Sequence, residues 1–241
     1  MSHSAVPASK AAPAETPHVL ALWLRKGLGV LNLVMAFAIA IAMTINISDR
    51  LIQGIFNPSH YFHYFTIQTS IINIVVLLMG GIFAVMRKND PRWYSIVRAS
   101  VVSYAIVTGV IYNLLLSGFP SVDGYIATFS YPGDMQHIWA PLFIAIEWLL
   151  MPGRTRLQWG VLWISAVYPL LWVVGSLLRG LVGDGWVPYF FLNVNDMGIA
   201  GVAAYIAAIA AFVIGNSAIA VAVGRIHSRV FVGFQLDRTG I

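Results

Sequence analysis

Residues 27–48 run for 22 positions without a charged side chain, and residues 157–178 do the same. At about 1.5 Å per residue, each block makes a helix roughly 30 Å long, the thickness of a bilayer's hydrocarbon core. Hydrocarbon offers no water to backbone N–H and C=O groups, so a segment crossing it must satisfy them internally, as a helix does. The rest of the chain is built to the same rule. Of its 241 residues 59% are hydrophobic and only 10% charged, whereas soluble domains carry about a quarter charged residues. The sequence therefore predicts an all-α fold: a polytopic transmembrane helical bundle.

Six spans can be marked, at 27–48, 64–86, 99–117, 137–151, 157–178 and 197–224. The fourth is the shortest and carries Pro141 and Glu147, which a span tolerates when it is buried among others or lines a cavity. A re-entrant fourth segment is the alternative, but it would put the later loops on the wrong sides. Twelve of the 14 Lys and Arg residues fall on one side, leaving Arg50 and Arg179 opposite, among Asp49, Asp123, Asp134, Asp184 and Asp196. The positive-inside rule makes the basic side cytoplasmic and puts both termini there. Trp23, Trp93, Trp139, Trp159 and Trp186 fall near span ends, at headgroup depth.

This organisation accounts for the net charge of +5 without a nucleic-acid partner, and the lack of any cysteine excludes disulfides and thiolate metal sites. No repeat period is visible. Residues 1–22 are rich in Ala, Pro and Ser and read as a disordered cytoplasmic tail rather than a signal peptide. Residues 23–224 form the six-helix domain, and 225–241 a second cytoplasmic tail. Membrane lipids are the expected partners, and no cofactor is expected.

The polar residues inside spans are few enough to weigh singly. Thr66, Thr69, Ser70 and Asn73 stand at i, i+3, i+4 and i+7 of the second span, one stripe of a helix. A polar stripe must face the bundle, where its ordinary job is hydrogen bonding across helices or back to a carbonyl one turn earlier. His137 opens the fourth span at the same external depth as Thr66. Alone it is most simply an interfacial histidine, but beside a hydroxyl it is a base, and a threonine hydroxyl needs one to act as a nucleophile. His60 and His63, with His137 and an outer-loop acid, would alternatively suit Zn²⁺ with water as nucleophile. Glu147 and Arg98 are lone charges at the cytoplasmic ends of their spans and are expected to pair. The loop 183–196 holds four aromatics, a proline and glycines, and reads as a lid or as a segment lying in the headgroups.

These residues resemble the bacterial six-span membrane proteins called Pr-six-Pr. The likeness lies in Tyr64-Phe65-Thr66-Ile67-Gln68, in His137 followed by Pro141 and Glu147-Trp148, in Tyr168-Pro169, and in the aromatic-Pro loop from Trp186 to Val194. It covers spans two to six and implies the bacterial plasma membrane. More distantly the chain is similar to the androgen-induced, six-span threonine hydrolases, which cleave fatty-acid esters of hydroxy fatty acids. That resemblance implies Thr66 as nucleophile and His137 as its base. Thr69-Ser70 stands where close relatives have Ser-Asn, Asn193 where they have Asp, and Pro141 lies one residue closer to His137 than in the hydrolases.

Two function classes fit this pattern. The first is an intramembrane lipid ester hydrolase using Thr66 and His137, with Gln68, Thr69, Ser70 and Asn73 as pocket or oxyanion groups. The second is a non-enzymatic transporter or lipid-binding protein using the same pocket. A retinal protein would need a lysine within the bundle, and Lys10, Lys26 and Lys88 all lie at its cytoplasmic edge.

Overall fold

The computed structural model describes residues 16–119 and 121–232. Helix α1 spans Thr16–Ile52, the short α2 Pro58–Tyr61, α3 Phe65–Met86 and α4 Arg92–Ile111, which a π-turn at Tyr112–Leu116 prolongs. After a loop come α5 at Tyr131–Asp134, a π-turn at Met135–Trp139 and α6 at Ala140–Leu150, one helical run in three pieces. Helix α7 spans Val161–Val182, and a 3-10 turn at Phe190–Leu192 leads into α8, Val194–Val232. The described residues contain no strand. Helix already begins at Thr16, inside the expected tail, and α8 continues eight residues past Gly224. The remaining tail residues, 1–15 and 233–241, lie outside the described residues.

Among the described residues five helical stretches are long and apolar enough to cross a membrane: Val19–Ile52, Phe65–Met86, Arg92–Leu116, Val161–Val182 and Val194–Ile226. Their outward faces are apolar too. Leu170, Leu171 and Leu181 of α7 and Ile199 and Ile219 of α8 stand exposed, a surface suited to hydrocarbon and untenable in water at this extent. The chain thus has the make-up of a multi-pass membrane protein.

The core sits between α1, α3, α4, α6 and α8. Ala36, Ile39 and Ala42 of α1 pack with Leu77, Val102, Ile144 and Trp148. Trp148 is almost wholly buried, and its indole N–H donates to the Ala220 carbonyl of α8 at 3.1 Å. Prolines inside helices free a carbonyl one turn earlier, and a neighbour collects each one. Pro169 leaves the Ser165 carbonyl open, and the Tyr104 hydroxyl donates to it at 2.8 Å. Helix α8 is broken at Gly198, whose φ of 66° and ψ of 164° belong to a region essentially reserved for glycine.

One end of the bundle holds a buried charge network. Arg98 and Glu147 meet in an ion pair, and Glu147 also accepts from the Asn32 amide at 3.1 Å. Asp90 lies 3.9 Å from Arg98 and pairs with Arg25, whose guanidinium donates onward to the Pro152 carbonyl at 2.7 Å. Arg25, Asp90, Arg98 and Glu147 thus each face an opposite charge, the condition under which buried ions are tolerated. Asp90 and Arg25 come to this pair from a loop and from α1.

Candidate active site

The far end of the bundle gathers the polar residues of interest. Asn57 caps α2 by accepting from the Ser59 and His60 amides, at 3.0 and 3.3 Å, and the chain then turns directly into α3. Tyr64 precedes the first helical residue, which makes Thr66 the second residue of α3. Tyr64 is held from the other side: its hydroxyl donates to Asp123, which also accepts from Arg50 at 2.6 Å and from Ser121 at 2.9 Å. Burial alone would raise the Asp123 carboxyl, but the Tyr64 hydroxyl and the Arg50 charge more than offset it and hold it below the usual carboxylate range. The loop carrying Asp123 is thereby fastened to the start of α3.

His137 lies on the π-turn ahead of α6. Its Nδ1 is 2.9 Å from the Gly133 carbonyl. A carbonyl only accepts, so Nδ1 carries a proton, and in the neutral ring Nε2 keeps its lone pair. That lone pair faces the Thr66 hydroxyl, with Nε2 3.4 Å from Oγ1. The Tyr112 ring stacks on the imidazole at 3.5 Å and 11°. Pro141 withholds its N–H from the His137 carbonyl, and Asn113 donates to that carbonyl at 3.1 Å and to Gly109 at 2.8 Å. Glycine at 109 is what allows this approach: a Cβ there would lie 3.0 Å from the His137 carbonyl oxygen and 3.1 Å from Pro141.

A third group completes the arrangement. The Tyr189 hydroxyl lies 3.5 Å from both the backbone N–H and Oγ1 of Thr66. Beside these groups opens an apolar cavity of ≈390 Å³ between α4, α7 and α8, lined by Thr66, Thr108, Tyr112, Leu170, Tyr189 and Ile209 among others. Pockets of roughly 300–1,000 Å³ hold small organic ligands.

The other polar residues of the second span do not line this cavity. Thr69 and Ser70 both donate to the Thr66 carbonyl, at 3.1 and 2.7 Å, and Thr69 Oγ1 lies 3.3 Å from Thr108 Oγ1. Gln68 donates to the Phe62 carbonyl at 2.9 Å and accepts from Tyr168 at 2.7 Å, which turns it away from His137. Asn73 is buried deeper, its Oδ1 without a hydrogen-bond partner. The three histidines weighed for zinc do not converge. His60 stacks on Trp186 at 4.2 Å, while His63 Nε2 lies 3.0 Å from Ser176, whose own hydroxyl donates to Trp172. Burial, with the Arg179 charge beside it, holds His63 below the usual histidine range. Among the described residues no group of three or more His, Asp or Glu could hold a metal ion. The zinc reading is therefore corrected: spacing in sequence put these histidines near one helix end, and separate partners then claimed each ring.

Sequence reasoning missed Tyr189, Tyr112 and Asn113 as members of this site. Tyr189 stood in the aromatic loop that the sequence marked as unusual, so a signal existed for it. Nothing in the sequence ties Tyr112 or Asn113 to His137. Compared with protein-family models, curated proteins and solved structures, the chain matches none.

Proposed function

We propose that the chain is a six-span membrane protein with both termini on the cytoplasmic side, and that Thr66 and His137 hydrolyse lipid esters within it. The fourth span, which is not among the five long apolar stretches, is the run 131–150. Its 20 helical residues reach roughly 30 Å, and the pairing of Glu147 with Arg98 removes the objection to an acid in it. The split of basic residues sets the orientation. Reporter fusions after Asp123 and after Arg229 should report opposite sides of the membrane, and the same side for both overturns this topology. The likeness to Pr-six-Pr proteins, and more remotely to threonine hydrolases, supports a bacterial plasma-membrane setting.

One observation carries the catalytic reading: Nε2 of His137, left as an acceptor by the bond from Nδ1 to Gly133, faces the Thr66 hydroxyl beside an apolar cavity. The 3.4 Å separation is looser than the roughly 2.6–3.2 Å of a working proton transfer, as is common without substrate. Thr66 Oγ1 forms a bond to the ester carbonyl carbon as its proton passes to Nε2, and the carbonyl π pair moves onto oxygen. The pair returns as the ester C–O bond breaks, and His137 gives its proton to the leaving alkoxide. Water then attacks the acyl-threonine by the same route, releasing the acid and restoring Thr66. The Gly133 carbonyl orients the imidazole and accepts from it throughout, a weaker partner than a carboxylate.

Hydrolysis of p-nitrophenyl esters by the detergent-solubilised protein tests this. Thr66→Ala and His137→Ala should each abolish turnover with little change in thermal stability. A second reading, lipid binding without chemistry, is favoured by the apolar lining of the same cavity. It predicts no turnover by the wild type and retention of ester or fatty acid by all three proteins.

A further inference from the structure

An acyl transfer needs a donor for the negative oxygen that forms on the attacked carbonyl, and none of the groups that the sequence offers for it, Gln68, Thr69, Ser70 and Asn73, lines the cavity. Gln68 is bound between Phe62 and Tyr168, and the Thr69 and Ser70 hydroxyls are turned onto the Thr66 carbonyl. Tyr189 differs from these in the direction of its bonds. As an early residue of α3, Thr66 has no carbonyl one turn back for its N–H, and that N–H donates to the Tyr189 oxygen at 3.5 Å. The phenol, having accepted there, still has its own proton to give. Its neighbour at rest is Thr66 Oγ1, also 3.5 Å away. Tyr189 and Thr66 line the same cavity, so a carbonyl whose carbon meets Oγ1 brings its oxygen, one bond away, into reach of the phenol.

We propose that Tyr189 is the oxyanion donor of this site, giving its hydroxyl proton as a hydrogen bond to the carbonyl oxygen that Thr66 attacks; this rests on the threonine hydrolase reading above. No proton leaves Tyr189 in the step: the hydrogen bond shifts from Thr66 Oγ1 to the oxyanion as Oγ1 gives up its own proton to His137. The ring is held for the purpose. It packs against Tyr64 and Trp172, with centroids 5.8 Å from each, and against Phe191 at 5.3 Å. Burial raises the phenol above its usual range and keeps it protonated, as a donor must be. The same geometry gives the aromatic loop a role beyond covering the cavity, since it delivers a catalytic group from between α7 and α8 to the start of α3.

The test uses the full-length protein in detergent with p-nitrophenyl butyrate and p-nitrophenyl octanoate. Tyr189→Phe keeps the ring and removes the donor. It should lower kcat about 100-fold, with KM and melting temperature close to wild type. Equal kcat in Tyr189→Phe and an active wild type overturns the assignment and leaves Thr66 and His137 standing. A wild type no faster than Thr66→Ala sinks the hydrolase reading itself, and this inference with it. Should Tyr189→Phe lose its fold, fluorotyrosines placed at position 189 supply the answer by changing only phenol acidity. At a pH where all remain protonated, kcat should track that acidity across the series, and a flat series overturns the proposal.

Discussion

Replacing Glu147 by Gln removes one charge from the buried network while keeping the side chain's volume, and its cost can be estimated from the structure. The Arg98 and Glu147 side chains are 5% and 1% exposed, so water cannot take the place of the lost carboxylate. Stripping one partner from a buried pair costs about 3–5 kcal/mol, because the other charge is left uncompensated. Here part of that cost is absorbed: Asp90 Oδ2 lies 3.9 Å from Arg98 and has no hydrogen-bond partner of its own. The lower end, about 3 kcal/mol, is therefore expected. For a chain of this size that corresponds to roughly 6–12 °C in melting temperature, readable in detergent by intrinsic tryptophan fluorescence. Arg98→Met combined with Glu147→Leu should recover most of the loss, since an apolar pair leaves no orphaned charge. A single Glu147→Gln variant melting within a degree of wild type would show that the pair carries no such burden.

Three further outcomes are expected. Asn113→Leu leaves the His137 carbonyl without its donor and should cost about 1–3 kcal/mol, and adding Pro141→Ala, which restores a backbone N–H, should recover part of it in the same melting assay. Gly109→Ala places a methyl 3.0 Å from the His137 carbonyl, pushing the imidazole from Thr66, and should slow ester hydrolysis by about tenfold or more while the protein stays folded. His63 is held below its usual range by burial and Arg179, so the unfolded chain binds a proton that the folded one refuses. Its contribution to stability is present above about pH 6.5 and is lost as pH falls toward its lowered folded pKa. The His63→Asn variant should show a shallower acid dependence of melting temperature than wild type.

The parts of this molecule that sequence could reveal are those governed by one local rule. Apolar blocks of span length betray helices because the bilayer admits little else. The shared depth of Thr66 and His137 comes from counting residues from span ends, and the structure has them 3.4 Å apart. The facing of individual side chains was less legible. The π-turn at Met135–Trp139 adds a residue to the helix and shifts the phase of the positions after it, so a 3.6-residue stripe cannot say which neighbour His137 faces. Gln68 belongs to the same run as Thr66 yet turns to Tyr168, because helix positions two residues apart point about 200° apart. Tyr189 reaches Thr66 across 123 positions by a loop folding back over the bundle, and Asp90 joins Arg98 from the loop before α4. Such contacts depend on tertiary packing that no periodicity encodes.

Whether Thr66 is a nucleophile activated by His137 is best read covalently. The purified protein is treated with a fluorophosphonate and digested, and the modified residue is located by mass spectrometry. A single adduct on Thr66 Oγ1 is expected, much slower to form in His137→Ala and lost in Thr66→Ala. An adduct on another residue, or labelling that persists undiminished in Thr66→Ala, would rule Thr66 out as the nucleophile.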